Sequence, residues 1–155
     1  MTIDINAHIS AIKKHLSIIG KRLYSKDGKN LFSDITLSSA EDRNILSQNI
    51  LSSYQDIEGV LKQFITASTE NAGTITVYIT NTRGDTDFDN RVQRLVETYI
   101  IYNSVGEYLS MVHPDLAQKY QRDAQRRIEA LVSYVFYKQP PTATADITAA
   151  TATVS

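Results

Sequence analysis

A chain of 155 residues is the size of one domain, long enough to bury roughly 70% of its unfolded-chain surface. A hydrophobic fraction of 42%, a charged fraction of 21% and a net charge of −1 describe a globular chain with no global pull toward nucleic acid or an acidic membrane surface. The absence of cysteine excludes disulfides, thiol catalysis and zinc–thiolate centres.

The opening "MTIDINAHIS" carries Asp4 and no apolar core run, unlike a signal peptide. No apolar run approaches the ~20 residues of a membrane helix, so no membrane contact is expected. Ile5, Ile9, Ile12, Leu16, Ile19 and Leu23 recur at steps of four and three and predict an amphipathic helix over 5–23. His8 and His15 lie two turns apart, too far to share a metal, and are expected to be ordinary helix residues. Asp27-Gly28 marks a turn. Ser38 and Glu41 fit a capping box for a second, long helix carrying Leu46, Ile50, Tyr54, Ile57, Leu61 and Phe64 and ending near Ile65.

"TASTENAG", residues 66–73, is expected to be a loop. In "TITVYIT", residues 74–80, Ile75, Val77 and Ile79 alternate with polar residues, which is strand periodicity. Nothing else in the first 140 residues has an equal strand pattern, so this strand needs a partner from elsewhere. Asp85, Asp87 and Asp89 alternate like a calcium loop, but Asn90 and Val96 stand where that loop requires Gly and Glu. Their better reading is acidic charge at a helix start. Phe88, Val92, Leu95, Tyr99, Tyr102, Gly106 and Leu109 stripe a third helix, in which Gly106 predicts close approach by a neighbour. Pro114 opens a fourth helix with Ala117, Tyr120, Ala124, Ile128, Leu131 and Val135 inward, and Pro140-Pro141 end it.

The expected fold is therefore mostly α. It is a four-helix bundle (residues 1–141) with one mid-chain β-strand or small hairpin, followed by an extended C-terminal arm (residues 142–155). The arm, "TATADITAATATVS", has only Ile147 and Val154 as larger apolar groups and cannot build its own core. It is compatible with an extended conformation. One solution for arm and orphan strand is β-augmentation: Thr142, Ala143, Thr144, Ala145, Asp146, Ile147, Thr148 and Val154 would pair with the strand of Ile75, Val77 and Ile79, within one subunit or between subunits. Docking of the arm on a different protein is the alternative.

No P-loop, dinucleotide-binding glycine pattern, serine elbow or metal-spaced His-Glu pair occurs. No enzymatic activity and no cofactor are expected. The nine tyrosines suit either interfaces or the edge of the core. Residues 1–30 carry a local charge of +4 and residues 31–70 a local charge of −4, which suits head-to-tail packing of copies and equally a solvated surface.

The stretches "IGKRLYSKDGKNLFSDITLSSAED" and "YVFYKQPP", with the helix order, mid-chain β element and C-terminal extension, resemble the small head–tail connector (adaptor, or neck-ring) proteins of tailed phages. The resemblance covers residues 5–141 loosely. It implies a structural protein of the virion neck, assembled in the host cytoplasm. In that family copies form a ring, often twelve, under the portal protein. The ring bounds the DNA channel, and a stopper or tail protein docks below. On that pattern the arm is a portal- or neighbour-binding element, and Lys26 and Lys29 are candidates to face passing DNA without sequence-specific contact. The alternatives are another neck or tail component, such as a tail terminator, and a nucleic-acid-binding regulator using the basic first helix.

Overall fold

The computed structural model describes residues 1–22 and 40–136. Chain order is β1 (Thr2–Asp4), α1 (Ile5–Arg22), α2 (Ala40–Leu61), a 3-10 turn (Lys62–Phe64), β2 (Ile65–Asn71), β3 (Thr74–Ile79), α3 (Phe88–Ser110) and α4 (Pro114–Phe136). The fold is mostly helical with a three-stranded antiparallel sheet in the order β1-β3-β2. Ser38 of the expected capping box, Lys26, Lys29, the Asp27-Gly28 turn, Pro140-Pro141 and the arm from Thr142 to Ser155 lie outside the described residues.

Three expectations are corrected. The strand of Ile75, Val77 and Ile79 is not orphaned: it is the central strand, flanked by β1 on one side and β2 on the other. Both of its edges are occupied, so it is not a strand that an arm could augment. The supposed loop 66–73 is mostly β2, and the second helix stops at Leu61 instead of running to Ile65. β2 escapes a periodicity search because it is almost wholly exposed and therefore carries no apolar alternation. Its turn completes the account. Ala72 (φ 49°) and Gly73 (φ 81°) lie between the paired residues Asn71 and Thr74. Two consecutive positive φ values form the two-residue connection whose twist matches that of antiparallel strands.

Helix boundaries follow local chemistry. Asp4 Oδ1 accepts from the Ala7 N–H at 3.0 Å, satisfying an orphan donor at the start of α1. Pro114 does open α4, and the Leu116 N–H is met by His113 Nδ1 at 3.3 Å. Helix α4 closes on α3 as an antiparallel hairpin, with Gly106 at the approach to Gln121.

The core lies where the four helices and one face of the sheet converge. Ile12 and Leu16 of α1, Leu46, Ile50, Ile57 and Leu61 of α2, Val92, Val96 and Ile100 of α3 and Leu131 and Val135 of α4 are buried, together with Ile3, Ile75 and Val77 of the sheet. Each such aliphatic side chain contributes about 1.5–3 kcal/mol through removal from water. Two polar pairs cross the α2–α3 interface, one of them reaching the exposed Asp56. The Tyr99 hydroxyl donates to Asp56 Oδ2 at 3.0 Å, and Asn103 Nδ2 donates to Ser53 Oγ at 3.1 Å. Burial first, then the hydrogen bond to the Asp56 carboxylate, pushes the Tyr99 phenol well above its ordinary range.

Candidate assembly site at an open sheet edge

The sheet's two outer edges are treated differently. Met1 and Val77 exchange both backbone hydrogen bonds, each at 2.8 Å. Alternation along an antiparallel ladder then turns the backbone groups of Ile75 and Val77 toward β1 and those of Thr74, Thr76 and Tyr78 toward β2. It also turns Thr2 away from β3. Both outward groups of Thr2 are satisfied by one side chain: its N–H donates to Gln93 Oε1 at 2.8 Å, and Gln93 Nε2 donates to its carbonyl at 2.6 Å. The amide of Gln93, on α3, behaves as a fragment of a fourth strand. The Asp4 carbonyl accepts from His8 Nδ1 at 2.7 Å. The β1 edge is thus sealed.

Among the described residues nothing seals the β2 edge in this way. Across the register Thr76 faces Thr69, Tyr78 faces Ala67 and Thr74 faces Asn71. Those three β2 residues therefore give their backbone groups to β3, and Ser68 and Glu70 direct N–H and C=O outward. Among the described residues no strand lies beyond β2. Natural edge strands are commonly protected by lysine, proline or a bulge. Here a register irregularity between Ile65 and Ala67 distorts one end, and neither lysine nor proline occurs in the strand.

The end of α4 is fixed beside that edge. A helix leaves its last carbonyls unpaired, and the β3–α3 loop supplies two of them. Arg83 Nη1 donates to the Tyr134 carbonyl at 3.3 Å, and Thr82 Oγ1 donates to the Val135 carbonyl at 2.6 Å. Asn81 Oδ1 shapes this loop by accepting from the Arg83 and Gly84 N–H groups at 3.0 and 2.9 Å, with Gly84 at φ 65°. The Tyr134 ring lies under the guanidinium groups of Arg83 and Arg91, 4.5 and 4.7 Å from its centre, and stacks on Phe88 at 5.7 Å. Phe136 meets Phe64 edge to face at 4.7 Å. Phe64 directly precedes β2, so the helix terminates where the open edge begins. A groove lined by Gln63, Phe64, Thr82, Val135 and Phe136 marks this junction.

The alternating acids belong to the same construction. Asp85 accepts from the Asp87 N–H and from the Tyr134 hydroxyl, both at 3.0 Å. The Asp87 backbone first, then Tyr134, holds the Asp85 carboxyl below its ordinary value. Asp87 accepts from Asn90 Nδ2 at 3.0 Å and pairs loosely with Arg94 at 3.6 Å. These contacts organise the loop and the first turn of α3.

The tyrosines mostly belong to the core edge. Tyr54, Tyr99, Tyr108 and Tyr134 are buried, and Tyr102 and Tyr120 are half-buried with His15 edge-on to both at 5.8 Å. Tyr78 is 58% exposed on the outer face of the sheet, beside β2. Sequence reasoning identified β3 and allowed a small hairpin there, but read the residues of β2 as a loop and missed β1 and the role of Gln93. The Ala72-Gly73 pair just ahead of a clear strand was the available signal for the hairpin. Among the described residues no helix is long and apolar enough to cross a membrane. Compared with family models, curated proteins and solved structures, the chain matches none.

Proposed function

We propose that this chain is a non-catalytic structural subunit of a head–tail connector ring in the neck of a tailed phage. It joins copies of itself side by side between a portal protein and a stopper or tail protein, around the DNA channel. The observation that supports the reading most is the unequal treatment of the sheet edges: one sealed by Gln93, the other open among the described residues, near the end of α4. An open edge offers directed backbone pairing to another chain, which is what an assembling subunit requires. The resemblance of "IGKRLYSKDGKNLFSDITLSSAED" and "YVFYKQPP" to connector proteins supplies the biological setting.

Mass photometry and negative-stain microscopy of the purified chain test the reading, alone and with a portal ring. The expected result is a closed ring of one defined copy number, about twelve, that caps the portal. A strictly monomeric chain at every concentration, with no portal binding, overturns it. Ring formation with capture of a tail tube but not a portal selects the terminator reading instead. Tight, strongly salt-dependent DNA binding by the monomer would select a regulator.

A further inference from the structure

We infer that the outer edge of β2 is the acceptor for the C-terminal segment, residues 142–155, of a second copy of this chain. The inference rests on the ring reading and names the contact that links one subunit to the next. Ser68 and Glu70 each present one donor and one acceptor outward, so a strand laid against them gains four backbone hydrogen bonds.

The occupant's chemistry matches the edge. β2 is "ITASTEN", with small side chains at Ala67 and Thr69 on the outer face, which allow close approach. "TATADITAATATVS" is likewise built of small and β-branched residues, with one ionisable side chain, Asp146, and no proline beyond Pro141. Its length is sufficient: seven residues of β2 span about 23 Å, and fourteen extended residues reach farther.

Direction distinguishes a second copy from the chain's own segment. α4 ends at Phe136 against Phe64, at the Ile65 end of β2. A segment leaving there and running along its own β2 would travel parallel to it. Both existing ladders are antiparallel, and parallel pairing is slightly weaker per residue. A neighbour's segment entering at the Asn71 end runs antiparallel and extends the sheet in its existing pattern. Donor segment and acceptor edge are different surfaces, so the contact is head-to-tail and generates a ring where the rotation closes. Four hydrogen bonds are few for one pair of chains. Ring closure makes the last contact intramolecular and multiplies their effect.

Backbone amide exchange on the full chain, above and below its assembly midpoint, provides the direct test. On assembly, exchange at Ser68 and Glu70 should slow by about tenfold or more, while the already paired Thr69 changes little. Glu70→Pro removes one outward donor and none of the bonds to β3, a substitution that an edge strand tolerates. It should abolish self-association while the helical circular dichroism persists, whereas Glu70→Thr should retain association. Ile147→Pro should abolish association from the donor side. At concentrations far above the ring's assembly midpoint, an equimolar mixture of Glu70→Pro and Ile147→Pro chains should form a heterodimer, because the first supplies an intact segment and the second an intact edge, without the gain from ring closure.

Equal protection of Ser68 and Glu70 in dilute monomer overturns the inference, since the edge is then covered within one chain. Failure of the mixture to pair even at concentrations far above the ring's assembly midpoint overturns it as well. Rings that persist with Glu70→Pro overturn it and leave the ring reading standing. A chain that never associates defeats both. Should Glu70→Pro fail to fold, the dilution experiment and Ile147→Pro decide.

Discussion

Gly106 of α3 faces Gln121 of α4 so closely that a Cβ on the glycine would stand 2.9 Å from Gln121 Cγ and 3.3 Å from the Gln121 backbone nitrogen. The first clash could be relieved by a rotamer change; the second is with main chain. Alanine favours a helix over glycine by about 1 kcal/mol, and here that gain is opposed by forced separation of two packed helices. Gly106→Ala should therefore destabilise the chain, by up to about 2 kcal/mol net in denaturant melts. Adding Gln121→Ala should recover part of the loss, because only the side-chain clash is removed. A stabilised Gly106→Ala variant would show that the helices separate at no cost.

His15 gives the fold an acid-sensitive contact. Its ring sits against Tyr102 and Tyr120, joining α1 to α3 and α4, and burial pushes the imidazole below its ordinary value of 6.5. A lowered value in the folded state means that the unfolded chain binds the proton more readily. The contribution is fully present above pH 6.5 and lost as pH falls through the folded value. Thermal melts from pH 7.5 to 5 should show Tm declining by a few degrees more in the wild type than in His15→Phe, which keeps the aromatic contact and cannot titrate. Identical pH profiles for the two chains would remove His15 from the account.

Gln93 seals the β1 edge through two hydrogen bonds to Thr2. Both are solvent-accessible, so their net worth is modest. Gln93→Leu should cost about 0.5–1.5 kcal/mol, measured as a lowered Tm. The second consequence is larger in kind: the Thr2 N–H and C=O become available as a second template. Light scattering should then show larger particles for Gln93→Leu than for the wild type. A Gln93→Leu chain with unchanged Tm and unchanged particle size would show that water satisfies Thr2 equally well.

The features legible in the sequence were those that burial imprints on it. The four-three stripes of α2, α3 and α4 and the alternation of Ile75, Val77 and Ile79 are the signatures of elements with one dry face. Pro114 and Gly106 were legible because their backbone requirements are specific. β2 was not legible, since a peripheral strand with polar residues on both faces leaves no apolar period. β1 was too short, at three residues, to display one. The candidate site fell into the same gap. Whether an edge is open depends on which distant side chain lies against it, and nothing in the spacing of Thr2 and Gln93 announces that they meet.

The connection lengths also predict a temporal order for the sheet. β2 and β3 are joined by two residues and can zip as a hairpin as soon as both exist, whereas β1 must find β3 across the whole of α1 and α2. Ile3→Ala, which empties a fully buried site at a cost of about 2–5 kcal/mol, should accordingly speed unfolding while leaving the refolding rate nearly unchanged in stopped-flow traces. On this order β1, made before β2 and β3, joins after them, a latch that locks an already formed ribbon onto the helices.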